Sequence, residues 1–191
     1  MRKNFGANPW FYPLPVLIIG TYGEDGTADA MNAAWGGLYD RDKVELCLSA
    51  GHKTTRNIKA RGAFTVSFAD AAHVAEADYV GLVSANQEPR KLEKAGLHTT
   101  RSEFVDAPLI DEFPMALECR LLKVTEDGNI IGQIVNVSAD QRILGRTESP
   151  TPPSSGLSPS TRWETAIWCW GKELGMPSAM GRNCNKERKA L

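Results

Sequence analysis

The chain has 191 residues, enough for one domain with a well-buried core and short for two. At 42% hydrophobic, 24% charged and a formal net charge of -1, it is not built to hold DNA, RNA or an anionic membrane surface. No apolar run approaches the roughly 18 residues of a membrane span, so neither nucleic acid nor membrane is expected as a partner. "MRKNFGANPW" has two basic residues but no apolar core and no small-residue cleavage site, so no signal peptide is expected and a cytoplasmic location is. Cys47, Cys119, Cys169 and Cys184 show no Cys-x-x-Cys spacing and are read as free thiols.

"LPVLIIGTYG" is a short β-branched run, and the "EDG" after it signals a hairpin. "TADAMNAAWGG" follows as a second strand rich in small residues. "KVELCLSA" alternates, with Val44, Leu46 and Leu48 on one face and Glu45, Cys47 and Ser49 on the other. "TTRNIKARG" suits a short helix ended by Gly62, and "AFTVSF" is another strand. "AAHVAEADYVGLVS" has helical spacing through Val74, Ala77, Asp78 and Gly81; "EPRKLEKAG" is a shorter helix stopped by Gly96. "FPMALECRLLKVTEDG" and "NIIGQIVNVSADQRIL" read as two long strands around a Glu-Asp-Gly-Asn turn. The fold class expected is mainly β with inserted helices, an antiparallel barrel rather than a βαβ sheet.

Two constellations carry chemistry. In "LSAGHKTTRNIKARGAF" a strand turns through glycine into a helix start bearing His52, Lys53, Thr54, Thr55 and Arg56. A helix N-terminus offers unpaired amides and partial positive charge, so an anion is stabilised there. Thr54 or Thr55 can cap that end or donate to a phosphate oxygen, with Lys53 as a point charge and His52 and Arg56 as further donors. A solvated basic helix face would hold the same charges, and the P-loop pattern is absent. In "ADAMNAAWGG", small residues let a group approach the backbone, Asn32 offers amide groups and Trp35 a flat face, which suits a planar heteroaromatic ligand. Small residues that only relieve crowding would look alike. His73 and His98 stand apart with no ligand spacing, so no metal is expected, and Cys47 and Cys119 read as small buried fillers.

The succession "PVLIIGT", "NAAWGG", "LCLSAGHKTTRNIKARGAFTVSF", "DYVGLVS" and "KLEKAGL" resembles the flavin reductase-like proteins, the flavoredoxin branch especially, over roughly residues 9–145. The resemblance implies a split β-barrel, a homodimer with FMN near the subunit interface, and redox chemistry on the flavin. Matched position by position, Asn32, Ala33, Ala34 and Trp35 would line the isoalloxazine, and Ser49, His52, Lys53, Thr54 and Thr55 would hold the ribityl phosphate. Asp78, Tyr79 and Ser84 fall in the family's following helix and loop, and Lys91 matches a lysine that approaches the flavin. Ala85 stands where the family usually has glycine. No general acid or base is named, because the cofactor carries the chemistry. Electrons would come from NADH or NADPH, or from a redox partner protein; a non-catalytic FMN carrier and a flavin- or haem-binding module without turnover are the alternatives. No Gly-x-Gly-x-x-Gly element appears, so a nicotinamide would stack on the flavin.

The FMN-binding domain is expected to occupy residues 1–145. From residue 146 the chain turns Pro/Ser/Thr-rich and lacks the family's final strand of the type Tyr-x-Val-Leu-Gly. Read one nucleotide earlier, the codons of "IWCWGKELGMPSAMGRN" permit "YLVLGKGAGNAFSDGKEL", with several residues forced by the single codons of Trp and Met. Residues 146–191 are therefore expected to be an out-of-frame reading.

Overall fold

The computed structural model describes residues 1–11 and 14–144, plus the backbone of two paired two-residue strands, Trp168–Cys169 and Lys172–Glu173. The out-of-frame expectation for residues 146–191 falls outside the described residues.

β1 (Leu17–Tyr22) turns into β2 (Ala28–Ala33) as the "EDG" signal predicts, with the Gly23 amide donating to the Thr27 carbonyl at 2.8 Å. The small-residue run expected as one strand is two. β2 ends at Ala33, the chain bends at Ala34 and Trp35, and β3 (Gly36–Asp40) pairs with β4 (Lys43–Leu46) instead. Val44, Leu46 and Leu48 are buried as the alternation requires. Cys47, expected as a buried filler, is exposed, because the alternation that buries Leu46 and Leu48 turns the residue between them to the outer face.

Helix α1 (Lys53–Arg61) follows and stops where Gly62 adopts φ 67°, its amide donating to the Ile58 carbonyl; a side chain there would be strained. β5 (Ala63–Phe68) leads to α2 (Val74–Leu82) and α3 (Lys91–Ala95). The inward face of α2 is Ala77 and Val80, while Val74 and Asp78, which share the same helical spacing, are exposed. A short hairpin, β6 (Thr99–Arg101) and β7 (Pro108–Ile110), was not expected; three residues per strand are too few for periodicity to register. β8 (Met115–Val124) and β9 (Ile130–Ala139) form the long hairpin read from the sequence, with Gly128 at φ 89° in its turn.

Seven strands make one antiparallel sheet in the order β2-β1-β5-β8-β9-β4-β3. Its two edges, β2 and β3, are consecutive in the chain. Since only Ala34 and Trp35 separate them, the edges must come within about 11 Å of each other there, and the sheet curls into a barrel. Register shifts in β8–β9 at Glu118/Cys119 and Leu121/Lys123 help it bend. Leu17, Ile19, Leu46, Phe64, Val66 and Ile130 fill the interior, with Ile58 of α1 packed among them. On the other face, Ile18 and Ala30 meet Ala77 and Val80 of α2, Leu92 of α3 and Ile110 of β7. β1 is therefore buried on both faces, which is why its apolar run does not alternate.

Candidate functional site

The sequence places a helix start just past β4, and the structure puts it two residues earlier than a Thr54 cap would need. His52 is the N-cap, in extended backbone, and its side chain makes no capping bond; the first turn contains no acid. Thr54 and Thr55 are therefore not caps but the second and third helical residues, and both are buried. Thr55 Oγ1 donates to the Ser49 carbonyl at 2.8 Å and so holds the approach loop. The Thr54 hydroxyl and the side chains of His52 and Lys53 make no hydrogen bond or ion pair among the described residues. Ser49 and His52 are exposed and Lys53 half-buried, and the Lys53 charge reaches the exposed Asp25 carboxyl. That carboxyl is held below its usual range first by the backbone and side chain of Thr27, and then in part by Lys53. What remains is a helix end with unclaimed amides, one unclaimed hydroxyl and one cation within reach.

The strand predicted to lie under a ring divides at this same place. Ala33 is buried in the barrel, whereas Ala34 and Trp35 are exposed, Trp35 by 57%. The Trp35 carbonyl accepts the Cys47 amide at 2.9 Å, which fixes the bend two residues before Ser49. Asn32 turns the other way. Its Nδ2 donates to the Ala77 carbonyl at 3.0 Å, and its amide lies against Gly81, where any Cβ would collide with it. That close approach is the reason for a glycine inside α2.

The α2–α3 residues separate into different roles. Asp78 is exposed and Tyr79 packs, half-buried, against the outer core. Ser84 ends the helix region, its Oγ accepting the Asn86 amide at 3.2 Å. Arg56 joins this loop to the anion end: Nη1 donates to the Gly51 carbonyl at 2.9 Å and Nη2 to Asn86 Oδ1 at 3.2 Å. Lys91, expected to approach a flavin, is 3% exposed and turned inward. Its Nζ lies 2.9 Å from Asp29 Oδ1 and donates to the carbonyls of Val80 and Val83 at 3.2 and 3.1 Å, so its donors are committed inside the fold. Sequence reasoning missed Asp29, although an acid between two alanines near the start of a strand of small residues is a visible signal.

A cavity of about 570 Å³ lies between Val16 and α2 and contains Asn32 and Asp78. Lys53, the threonines and Trp35 do not line it. The structure thus brings Trp35, Cys47 and Ser49 together with the α1 end, and Asn32 with Asp78, as two neighbouring groups rather than one enclosed pocket. His73 and His98 play local roles: His73 Nδ1 meets Asp70 at 2.8 Å, and Glu112 pairs with His98 and raises its pKa. Cys119 is buried, as expected, and burial pushes its thiol up to about 12.

The model of the flavin reductase-like domain matches residues 11–149. The chain belongs to this family. Flavoredoxin of Desulfovibrio vulgaris (Miyazaki F) is 37% identical, with 79% of this chain and 83% of that one covered and a TM-score of 0.76. Flavoredoxin from Methanosarcina acetivorans, 24% identical with coverage of 79% and 81% and a TM-score of 0.70, has the same fold. An uncharacterized protein of Aeropyrum pernix is 31% identical over 121 residues, which are 62% of this chain and 45% of that one; the chain thus spans less than half the length of this curated relative. The curled antiparallel sheet is the split barrel of the flavin reductase-like family. Among the described residues no helix is long and apolar enough to cross a membrane.

Proposed function

We propose that the chain binds FMN and passes electrons through it from NADH or NADPH, or from a redox partner protein. The observation that carries this is the α1 N-terminus: an uncapped helix end beside the exposed Ala34–Trp35 bend, with no protein acid taking its amides. A phosphate monoester suits the first-turn amides, the Thr54 hydroxyl, His52 and Lys53. A flat ring suits Ala34 and Trp35, with the Asn32 amide at the far side of the bend. One phosphate-sized end favours FMN over a dinucleotide. Bound flavin would supply the hydride and electron transfer; the chain's residues bind and orient it and shield one face from water.

The ring end is open in one protomer, and Leu38 and Tyr39 of β3 are exposed beside Trp35. A homodimer that covers this edge, in the cytoplasm, completes the proposal. The likeness to flavoredoxin at 37% identity favours, as a second possibility, a carrier that keeps its FMN and takes electrons from a partner. The domain is residues 1–145, and the run after it is proposed to be out of frame; resequencing that finds nucleotides incompatible with the shifted peptide removes that idea.

The absorbance spectrum of the purified protein, with identification of what heat releases, tests the cofactor. Protein that carries no flavin and takes up no added FMN overturns the proposal. Nicotinamide oxidation measured with and without added FMN then separates reductase from carrier.

A further inference from the structure

Asp29 and Lys91 are 1% and 3% exposed, and they meet at 2.9 Å between β2 and the α2–α3 turn. The contact is an ion pair short of hydrogen-bond alignment, and among the described residues neither Asp29 oxygen accepts a hydrogen bond. Burying a carboxylate this way is costly, and a well-packed apolar pair of similar volume is often as stable or more so. What the pair does supply is position. Lys91 starts α3, reaches back to the Val80 and Val83 carbonyls at the end of α2, and pins that helix end to Asp29 on β2.

Three residues along β2 from Asp29 stands Asn32, whose amide is held by the same helix through Ala77 and Gly81. Its Nδ2 is oriented by the Ala77 carbonyl, so where α2 sits decides which way the amide's remaining donor and acceptor point. We propose that the Asp29–Lys91 pair is a positioning device that fixes α2 and thereby sets the Asn32 amide for the ring of the bound cofactor. Lys91 acts here through Asn32 and not by touching the ligand. This inference rests on the FMN proposal above and adds a role for two buried charges that it leaves unused.

The test compares wild type, the apolar pair Asp29→Leu/Lys91→Met, Asn32→Ala, and the triple variant, by FMN titration, the visible spectrum of bound FMN, and thermal unfolding. The apolar pair is expected to keep the wild-type melting temperature or exceed it, to bind FMN about tenfold more weakly, and to show a changed spectrum. Asn32→Ala is expected to lose a similar factor, and the triple variant no more than Asn32→Ala alone, since residues acting through one group are non-additive. Should the apolar pair not fold, Asp29→Asn, which keeps size and leaves Lys91 its carbonyl partners, is expected to show a smaller change of the same sign. A folded pair variant, or a folded Asp29→Asn, with wild-type affinity and spectrum overturns the inference and leaves FMN binding standing, as does a loss fully additive with Asn32→Ala. No FMN binding by the wild type overturns the FMN proposal and this inference with it.

Discussion

The two ends of α1 carry similar charge and use it in opposite ways. At the C-terminal end Arg61 is fully engaged: Nε and Nη2 donate to the Gly23 carbonyl at 3.0 and 2.6 Å, Nη2 also to Glu24, and Nη1 meets Asp106 at 3.2 Å. Gly62 closes the helix with its own amide. At the N-terminal end the cap is unused, the side chains of His52 and Lys53 and the Thr54 hydroxyl make no hydrogen bond among the described residues, and Lys53 acts only through its charge on the exposed Asp25. The contrast teaches that basic density alone does not locate a binding site. Of the four basic residues from Lys53 to Arg61, Arg56 and Arg61 are structural ties, and the chemistry is left to what the fold does not claim.

Substitutions can break this contrast. The largest effect is expected from Ile58→Ala, which removes the fully buried anchor shared by both ends and should cost about 2–5 kcal/mol in urea unfolding. Arg61→Ala should cost about 1–3 kcal/mol and leave FMN affinity per folded molecule unchanged; a large affinity loss would erase the distinction between the ends. Lys53→Ala with Thr54→Ala should do the reverse, costing only about 1 kcal/mol for the buried Thr54 methyl while FMN binds roughly 10- to 100-fold more weakly by titration. His52→Asp sharpens the contrast further. A cap that accepts a first-turn amide should raise stability by about 0.5–1 kcal/mol in thermal unfolding, while its negative charge weakens FMN binding. The smallest effect is one of access. Peptide mapping after a thiol reagent should find Cys47 modified and Cys119 untouched in folded protein, and FMN should slow the modification at Cys47.

Much of the fold was legible because it is local. The "EDG" and "EDGN" turns, the Gly62 stop and the alternation of Val44, Leu46 and Leu48 are each decided within a few residues. The break between β2 and β3 was not, because it arises from the sheet's two edges meeting, and no window around Ala34 contains the other five strands. At the site, sequence order located the helix end but not its cap, since whether a threonine faces out or in depends on one residue of phase. The surroundings of Lys91 were hidden for a related reason: its partner Asp29 lies 62 positions earlier, beyond the reach of motif matching.

The pairing order of the sheet also sets a schedule. Val44 of β4 lies opposite Gly132 of β9, so the strand that leads into α1 has no inner neighbour until the ribosome has made nearly the whole domain. Nascent chains shorter than this carry β3–β4 as a lone hairpin, which is marginal in water. In arrested chains of increasing length, β3–β4 should therefore become protease-resistant only once β9 has left the exit tunnel.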